Sequence, residues 1–204
     1  MTATALLEPR KSPRQARAQA THAALLEAAA QVLGRVGLSG FTTNAVAVRA
    51  GVSIGSLYQY FPNKDALMLA LIRRQQAQQA TTVAAAAALG PGGSLAETVR
   101  RMVRAAMAHH HADPLLASAI DHEEARLPIA EELEGFMARS AGVLGALLAA
   151  HADELGDFDW VSAQRTLPAL VRAAVDSWAN LAPPQLERAE DEAVRAVVGY
   201  LTLR

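Results

Sequence analysis

Apolar residues recur at three-to-four spacing along nearly the whole of this 204-residue chain, and no stretch shows the alternation of a half-buried strand. A period near 3.6 gathers those side chains on one face of an α-helix, whereas a strand facing a core needs a period of two. Composition points the same way. Hydrophobic residues make up 51% of the chain, much of this is alanine, the strongest helix former, and only 4% is aromatic. The expected fold is therefore all-α. Glycine and proline clusters punctuate nine helices, three short or medium ones in the first third and six beyond. The first runs from about Arg17 to Arg35 and stops at "GRVGLSGF". A short helix follows Thr42 or Thr43 and ends at Gly51. Ser53 opens another to about Phe61, and a long one runs from about Lys64 through the alanine run to 88. "GPGG" at 90–93 is the clearest break; Ser94 and Glu97 then form a capping box for further helices at about 94–111, 113–125, 128–151, 159–181 and 185–203.

Charge divides the chain unevenly. Residues 1–64 hold seven Lys/Arg against two acids, a net +5, and the remainder is −6, so the overall −1 conceals a basic first third suited to a polyanion. Cysteine is absent, which excludes disulfides, thiolate metal sites and cysteine nucleophiles and suits a reducing cytosol. No unbroken apolar run approaches the ~18 residues of a membrane span, the longest being "AGVLGALLAA" at 141–150. With no secretory signal at the N-terminus, the expectation is a cytoplasmic protein that does not enter a membrane.

Residues 43–61 constrain function most. Two DNA-reading helices need a small residue at their crossing, a tight turn and an apolar lock. Ala47 is small, Gly51 suits a left-handed turn, and Val46, Ala50, Val52, Leu57 and one face of Tyr60 supply the lock. Leu57 and Phe61 point inward; Gly55, Ser56 and Gln59 point away, with Tyr58 and Tyr60 at the flanks. Gly55 and Ser56 are small enough to admit base edges, the Tyr58 ring can lie on a thymine methyl, and tyrosine hydroxyls can reach phosphates. Helix starts at Thr42 or Thr43, at Ser53 and at Asn63-Lys64 offer free amides to phosphate. The same stretch contains Gly51-Val52-Ser53-Ile54-Gly55, a G-x-S-x-G pattern, but a hydrolase elbow needs a strand leading into the serine, and here a helix leads in. No enzyme is expected; a serine hydrolase using Ser53 is the remote alternative.

Residues 37–72, with Ser56-Leu57-Tyr58-Gln59-Tyr60-Phe61-Pro62-Asn63-Lys64-Asp65-Ala66-Leu67 at their centre, resemble the DNA-binding signature of TetR/AcrR-type regulators. The resemblance covers roughly residues 17–72. It implies a homodimer in which each subunit sets its second reading helix into half of a near-palindromic double-stranded operator. It further implies phosphate contacts from Thr43, Ser53, Tyr60 and Lys64, and base proximity for Asn44, Ile54, Gly55, Ser56, Tyr58 and Gln59. Ile54 departs from the pattern, standing where relatives often carry a long polar residue. The arm residues Arg10, Lys11 and Arg14 could compensate along the minor groove or backbone.

The implied organisation is a flexible basic arm at 1–16, a three-helix DNA-binding domain with a helix-turn-helix at 17–63, and a six-helix effector-binding and dimerisation domain at 64–204. Met102, His109, Ile120, Glu123, Phe136 and Trp178 are the candidate effector contacts, Met giving adaptability and Glu123 a choice for cations. His109 continues the apolar stripe Leu95, Val99, Met102, Ala106. The run His109-His110-His111 spreads around the helix, so no metal site and no cofactor is expected. The last two helices carry the stripes Trp160, Leu167, Val171, Ala174, Trp178 and Leu186, Ala189, Ala193, Val197, Leu201, suited to a four-helix bundle between two subunits. Together these features predict a ligand-responsive transcriptional regulator, most simply a repressor released by a small apolar or amphipathic effector. The alternative is a constitutive DNA-binding protein.

Overall fold

In the computed structural model, the described residues are 16–178, 181 and 183–203. Arg10, Lys11 and Arg14, and all of the expected arm except Ala16, lie outside them. Among the described residues there is no strand, and the helices are α1 (Ala16–Gly40), α2 (Thr43–Ala50), α3 (Ile54–Tyr60), α4 (Lys64–Ala88), α5 (Leu95–Ala106), α6 (Ala108–Ala112), α7 (Pro114–Arg126), α8 (Ala130–Leu148), α9 (Trp160–Trp178) and α10 (Leu186–Thr202). A 3-10 helix, Ala149–Glu154, follows α8. The all-α expectation holds. One helix more than expected arises because the stretch read as 94–111 is two helices, broken at Met107 with φ −90° and ψ 2°.

The described residues form two compact units. The first holds the chain up to Gln75 together with Leu115–Ala130; the second holds Gln76–Pro114 and the rest of the chain from Glu131. The first unit is built on one apolar cluster. Leu25, Ala29 and Leu33 of α1, Leu57 of α3, Phe61, and Leu67, Met68 and Ile72 of α4 are all buried, and α7 adds Ala119 and Ile120. Ion pairs close its edges. Arg74 donates to Glu27 at 2.5 Å, which holds the Glu27 carboxyl below its ordinary range. Arg126 of α7 donates at 2.6 Å to Glu123 and at 2.5 Å to Asp65 on the first turn of α4, and those two hydrogen bonds raise the guanidinium pKa.

The second unit has two clusters, one around Leu95, Val99, Val103, Leu167, Ala193 and Val197, the other around Val83, Met102, Ala105 and Leu147. Polar groups are buried among them. The Ser94–Glu97 capping box forms as expected, with Glu97 N–H on Ser94 Oγ at 3.2 Å and Ser94 N–H on Glu97 Oε2 at 3.0 Å. Just behind it, Thr98 is wholly buried. Its Oγ1 accepts from Gly92 N–H at 2.6 Å and meets His151 Nε2 at 3.0 Å, while His151 Nδ1 lies 2.8 Å from Glu154. A carboxylate only accepts, so Nδ1 carries the proton, and in the neutral ring Nε2 accepts the threonine hydroxyl. The buried Glu190 of α10 takes Arg104 of α5 at 2.8 Å.

Two expectations need correction. His109 does not extend the α5 stripe, since α5 stops at Ala106; His109 is half-buried on α6 and its neighbour His110 is the buried one. One helical stretch, Ala130–Glu154, is also long and apolar enough by composition to cross a membrane, with mean hydropathy 1.3. The unbroken run is shorter because Ser140 and Arg139 end it on one side and His151 on the other. Glu131, Glu132, Glu134 and Arg139 lie on the same helix, and each such charge is costly in a bilayer.

Candidate nucleic-acid interface

The candidate reading surface is assembled by three helix caps and one turn. Thr42 is the cap of α2: its backbone is extended and its hydroxyl accepts Ala45 N–H at 3.1 Å. That leaves Thr43 free to face α3, where its hydroxyl lies 3.2 Å from the Tyr58 hydroxyl. Gly51 closes α2 with φ +68°, a left-handed conformation that any side chain would strain, and Val52 N–H returns to Ala47 O at 3.0 Å. Ala47, buried in the crook of this turn, is the small residue that lets the two helices meet.

Ser53 caps α3. Its hydroxyl accepts Ser56 N–H at 3.1 Å and meets Ser56 Oγ at 2.8 Å. If Ser56 donates, the Ser53 O–H keeps its own proton to donate elsewhere. The residue leading into Ser53 comes from a helix and a turn, so the strand of a nucleophile elbow is missing around it. Asn63 caps α4 by accepting Ala66 N–H at 2.8 Å, which sets Lys64 on the first turn. The Lys64 ammonium lies 5.5 Å from the centre of the buried Phe41 ring, a cation–π contact that holds the amine near the helix start.

Burial sorts the expected contact residues. Asn44, Ser53, Ile54, Gly55, Tyr58, Gln59 and Lys64 are exposed, and Thr43 and Ser56 are half-buried. Leu57 and Phe61 are in the core, as the spacing required. Tyr60 joins them at 8% exposure, which leaves little of its surface for a phosphate contact. Its ring and that of Phe61 lie 6.2 and 5.2 Å from the imidazole of His22 on α1, whose burial lowers its pKa below 6.5. The contact between Lys64 and Phe41 and the ion pair from Arg126 to Asp65 carry no local signal in the sequence. The capping role of Thr42 was readable only as a choice between two threonines.

The expected effector residues are divided between the units, two in the first and four in the second. Ile120 lies in the core of the first unit, and Glu123, buried beside it in sequence, is paired with Arg126. Met102, His109, Phe136 and Trp178 belong to the second unit, where Met102 and Trp178 fall in different clusters. Trp178 carries the Arg188 guanidinium 4.0 Å above its ring. The α10 stripe Ala189, Ala193, Val197 and Leu201 is buried within the chain itself, against α9 and α5, so it is not open to a second subunit. The outer faces of α9 and α10 remain, including Val161, Ala169, Ala173 and Gly199.

Two family models match. The one described as bacterial regulatory proteins, tetR family, covers residues 25–71, and the tetracyclin repressor-like C-terminal domain covers residues 94–201, more than half of the chain. No curated protein matches. Similar solved structures include a TetR transcriptional regulator from Rhodococcus sp. RHA1, 25% identical with TM-score 0.62 over 88% of this chain and 93% of that one. Another is the multidrug binding protein EbrR complexed with imidazole, 25% identical with TM-score 0.65 over 90% of this chain and 96% of that one. The fatty acid degradation regulator FadR from Bacillus halodurans shares the fold at 20% identity, with TM-score 0.72 over 95% of this chain and 99% of that one.

Proposed function

This chain belongs to the TetR family of bacterial regulatory proteins, and from that premise we propose a cytoplasmic, homodimeric repressor that leaves a palindromic operator when a small apolar or amphipathic effector binds. The observation that carries the reading is the α2–Gly51–α3 unit, with its polar and small residues exposed on one side and Leu57 and Phe61 locked into the core. In this proposal residues 17–63 are the reading head, residues 1–16 a basic arm, and residues 64–204 the sensor and dimerisation region. Thr43, Ser53 and Lys64 hold phosphates, with Tyr60 contributing at most its hydroxyl edge. Asn44, Gly55, Ser56, Tyr58 and Gln59 face the bases. The dimer forms through the outward faces of α9 and α10.

Two heads reading one duplex must sit about 34–36 Å apart or a multiple of that. An effector favouring another spacing lowers operator affinity by its differential affinity for the two states and by no more. Names among the similar structures suggest probes: EbrR is a multidrug binding protein solved with malachite green, and FadR is a fatty acid degradation regulator. The test is fluorescence anisotropy on duplexes from the protein's own upstream DNA, at fixed salt, with and without malachite green or a long-chain fatty acid. Release of specific DNA by either probe supports the repressor. Specific binding that no apolar or amphipathic probe shifts favours the constitutive alternative. Lys64→Ala should weaken binding to all sequences and reduce the salt slope by about 1.

A further inference from the structure

On the exposed side of α3, the hydroxyls of Ser56 and Tyr58 already have partners within the protein, and Ile54 lies exposed beside them. The Ser56 hydroxyl is bonded to Ser53, the Tyr58 hydroxyl to Thr43, and Leu57 and Tyr60 are buried. Gln59 is the one long amide on the exposed side of this helix. Ile54 is 38% exposed and Tyr58 40%, and they are the large apolar groups exposed on α3 itself. They stand four residues apart, one helical turn, and therefore on one face. Gly55 beside them carries no side chain, and one added there would meet only the Ser53 hydroxyl, at 3.8 Å. The Tyr58 hydroxyl has a partner on α2, the Thr43 hydroxyl 3.2 Å away.

We propose that Ile54 and Tyr58 form an apolar ridge that reads the C5-methyl groups of thymines in each operator half-site, so that sequence preference is in large part methyl preference. The proposal rests on the DNA-reading role given above to this helix and names what the helix reads. The thymine C5-methyl is the apolar group that a base pair offers in the major groove. Opposite Ile54, a donor or acceptor edge would lose its water and gain no partner, so the ridge both favours thymine and disfavours the other bases. The departure of Ile54 from a long polar residue is then a change in what is read rather than a lost contact.

The test begins by selecting duplexes from a randomised DNA library with the full-length protein. The winning duplex is then resynthesised with deoxyuridine in place of thymidine, one position at a time, which removes the methyl alone. We expect at least one half-site position at which uracil weakens binding about fourfold, and about fifteenfold when both half-sites are changed, as the burial of one methyl each time requires. At that position a C·G pair should bind poorly and 5-methylcytosine should recover part of the loss. Ile54→Ala or Tyr58→Ala should bind the thymine and uracil duplexes equally at the position it reads, while Lys64→Ala should bind both more weakly and keep their ratio. Enrichment of a sequence that shows no uracil-sensitive position overturns the ridge and leaves the DNA-reading role intact, as does a uracil penalty that both substitutions retain in full. Failure to enrich any sequence, by a protein with its helical circular dichroism intact, overturns the DNA-reading role and the ridge with it.

Discussion

The two compact units bury polar groups in different ways. From Ala16 to Gln75 the first unit's buried residues are all apolar apart from the rim of Tyr60, and the buried carboxylates of that unit, Glu123 and Glu124, sit on α7, where Glu123 is paired with its neighbour Arg126. The second unit buries Thr98, His110, His151 and Glu190 and satisfies them through partners distant in the chain, such as Thr98 with His151 and Arg104 with Glu190. An apolar core tolerates neighbours of any orientation, whereas a buried hydroxyl or carboxylate fixes geometry, because an unmet group inside is costly. The head is thus held by shape and caps, and the larger unit is also held by directional bonds.

This contrast can be broken in graded steps. Phe61→Ala removes a wholly buried ring from the first unit's cluster and should cost about 3–5 kcal/mol. Both tryptophans, Trp160 and Trp178, lie in the second unit. Tryptophan fluorescence in urea should therefore keep its midpoint while far-UV circular dichroism gains an earlier transition; curves that shift together would show that the two cores unfold as one. Thr98→Val keeps the shape and leaves Gly92 N–H and His151 Nε2 without their partner, so about 2–3 kcal/mol should be lost from the fluorescence transition. An unchanged midpoint would mean that directional bonds contribute little to the second unit.

Smaller effects sharpen the picture of the head. Thr42→Ala deletes the bond to Ala45 N–H and should cost about 1 kcal/mol by circular dichroism in urea, with Thr43→Ala costing less. His22 gives the gentlest handle. Burial lowers its folded pKa below 6.5, so the unfolded chain binds the proton more readily. The first unit is then at full stability above about pH 6.5 and loses it as pH falls below that value. Urea midpoints measured at pH 7.5 and 5.5 should differ more for the unaltered protein than for His22→Leu.

What could be read beforehand follows the same division. Thr42, Gly51, Ser53, Leu57, Phe61 and Asn63 lie within 22 residues of one another, and each acts on a neighbour a few positions away, so local chemistry sufficed. The break at Met107 has neither glycine nor proline to announce it. The pairing of Arg126 with Asp65 joins positions 61 apart, and periodicity identifies an apolar face without saying what covers it. The α10 stripe therefore suits a second subunit by its pattern, whereas in the structure α9 and α5 occupy it. For Tyr60 the sequence leaves two placements open, since a phenol can bury its ring and still keep its hydroxyl wet.

The presence of α7 in the first unit bears on how such heads can be exchanged between proteins. A chimera that takes this chain up to Gln75 and joins it to a foreign body would leave behind Ala119, Ile120, Leu127 and Ile129, together with the Arg126 partner of Asp65. The transplanted piece would carry a bare apolar trough and an acid without its counter-ion, the usual beginnings of an insoluble hybrid. A graft that keeps the specificity of this head must move two separate segments, 16–75 and 115–130, or redesign the residues of the recipient that replace the second. On the DNA-reading role proposed above, specificity is portable as a pair of inserts and not as a single N-terminal cassette.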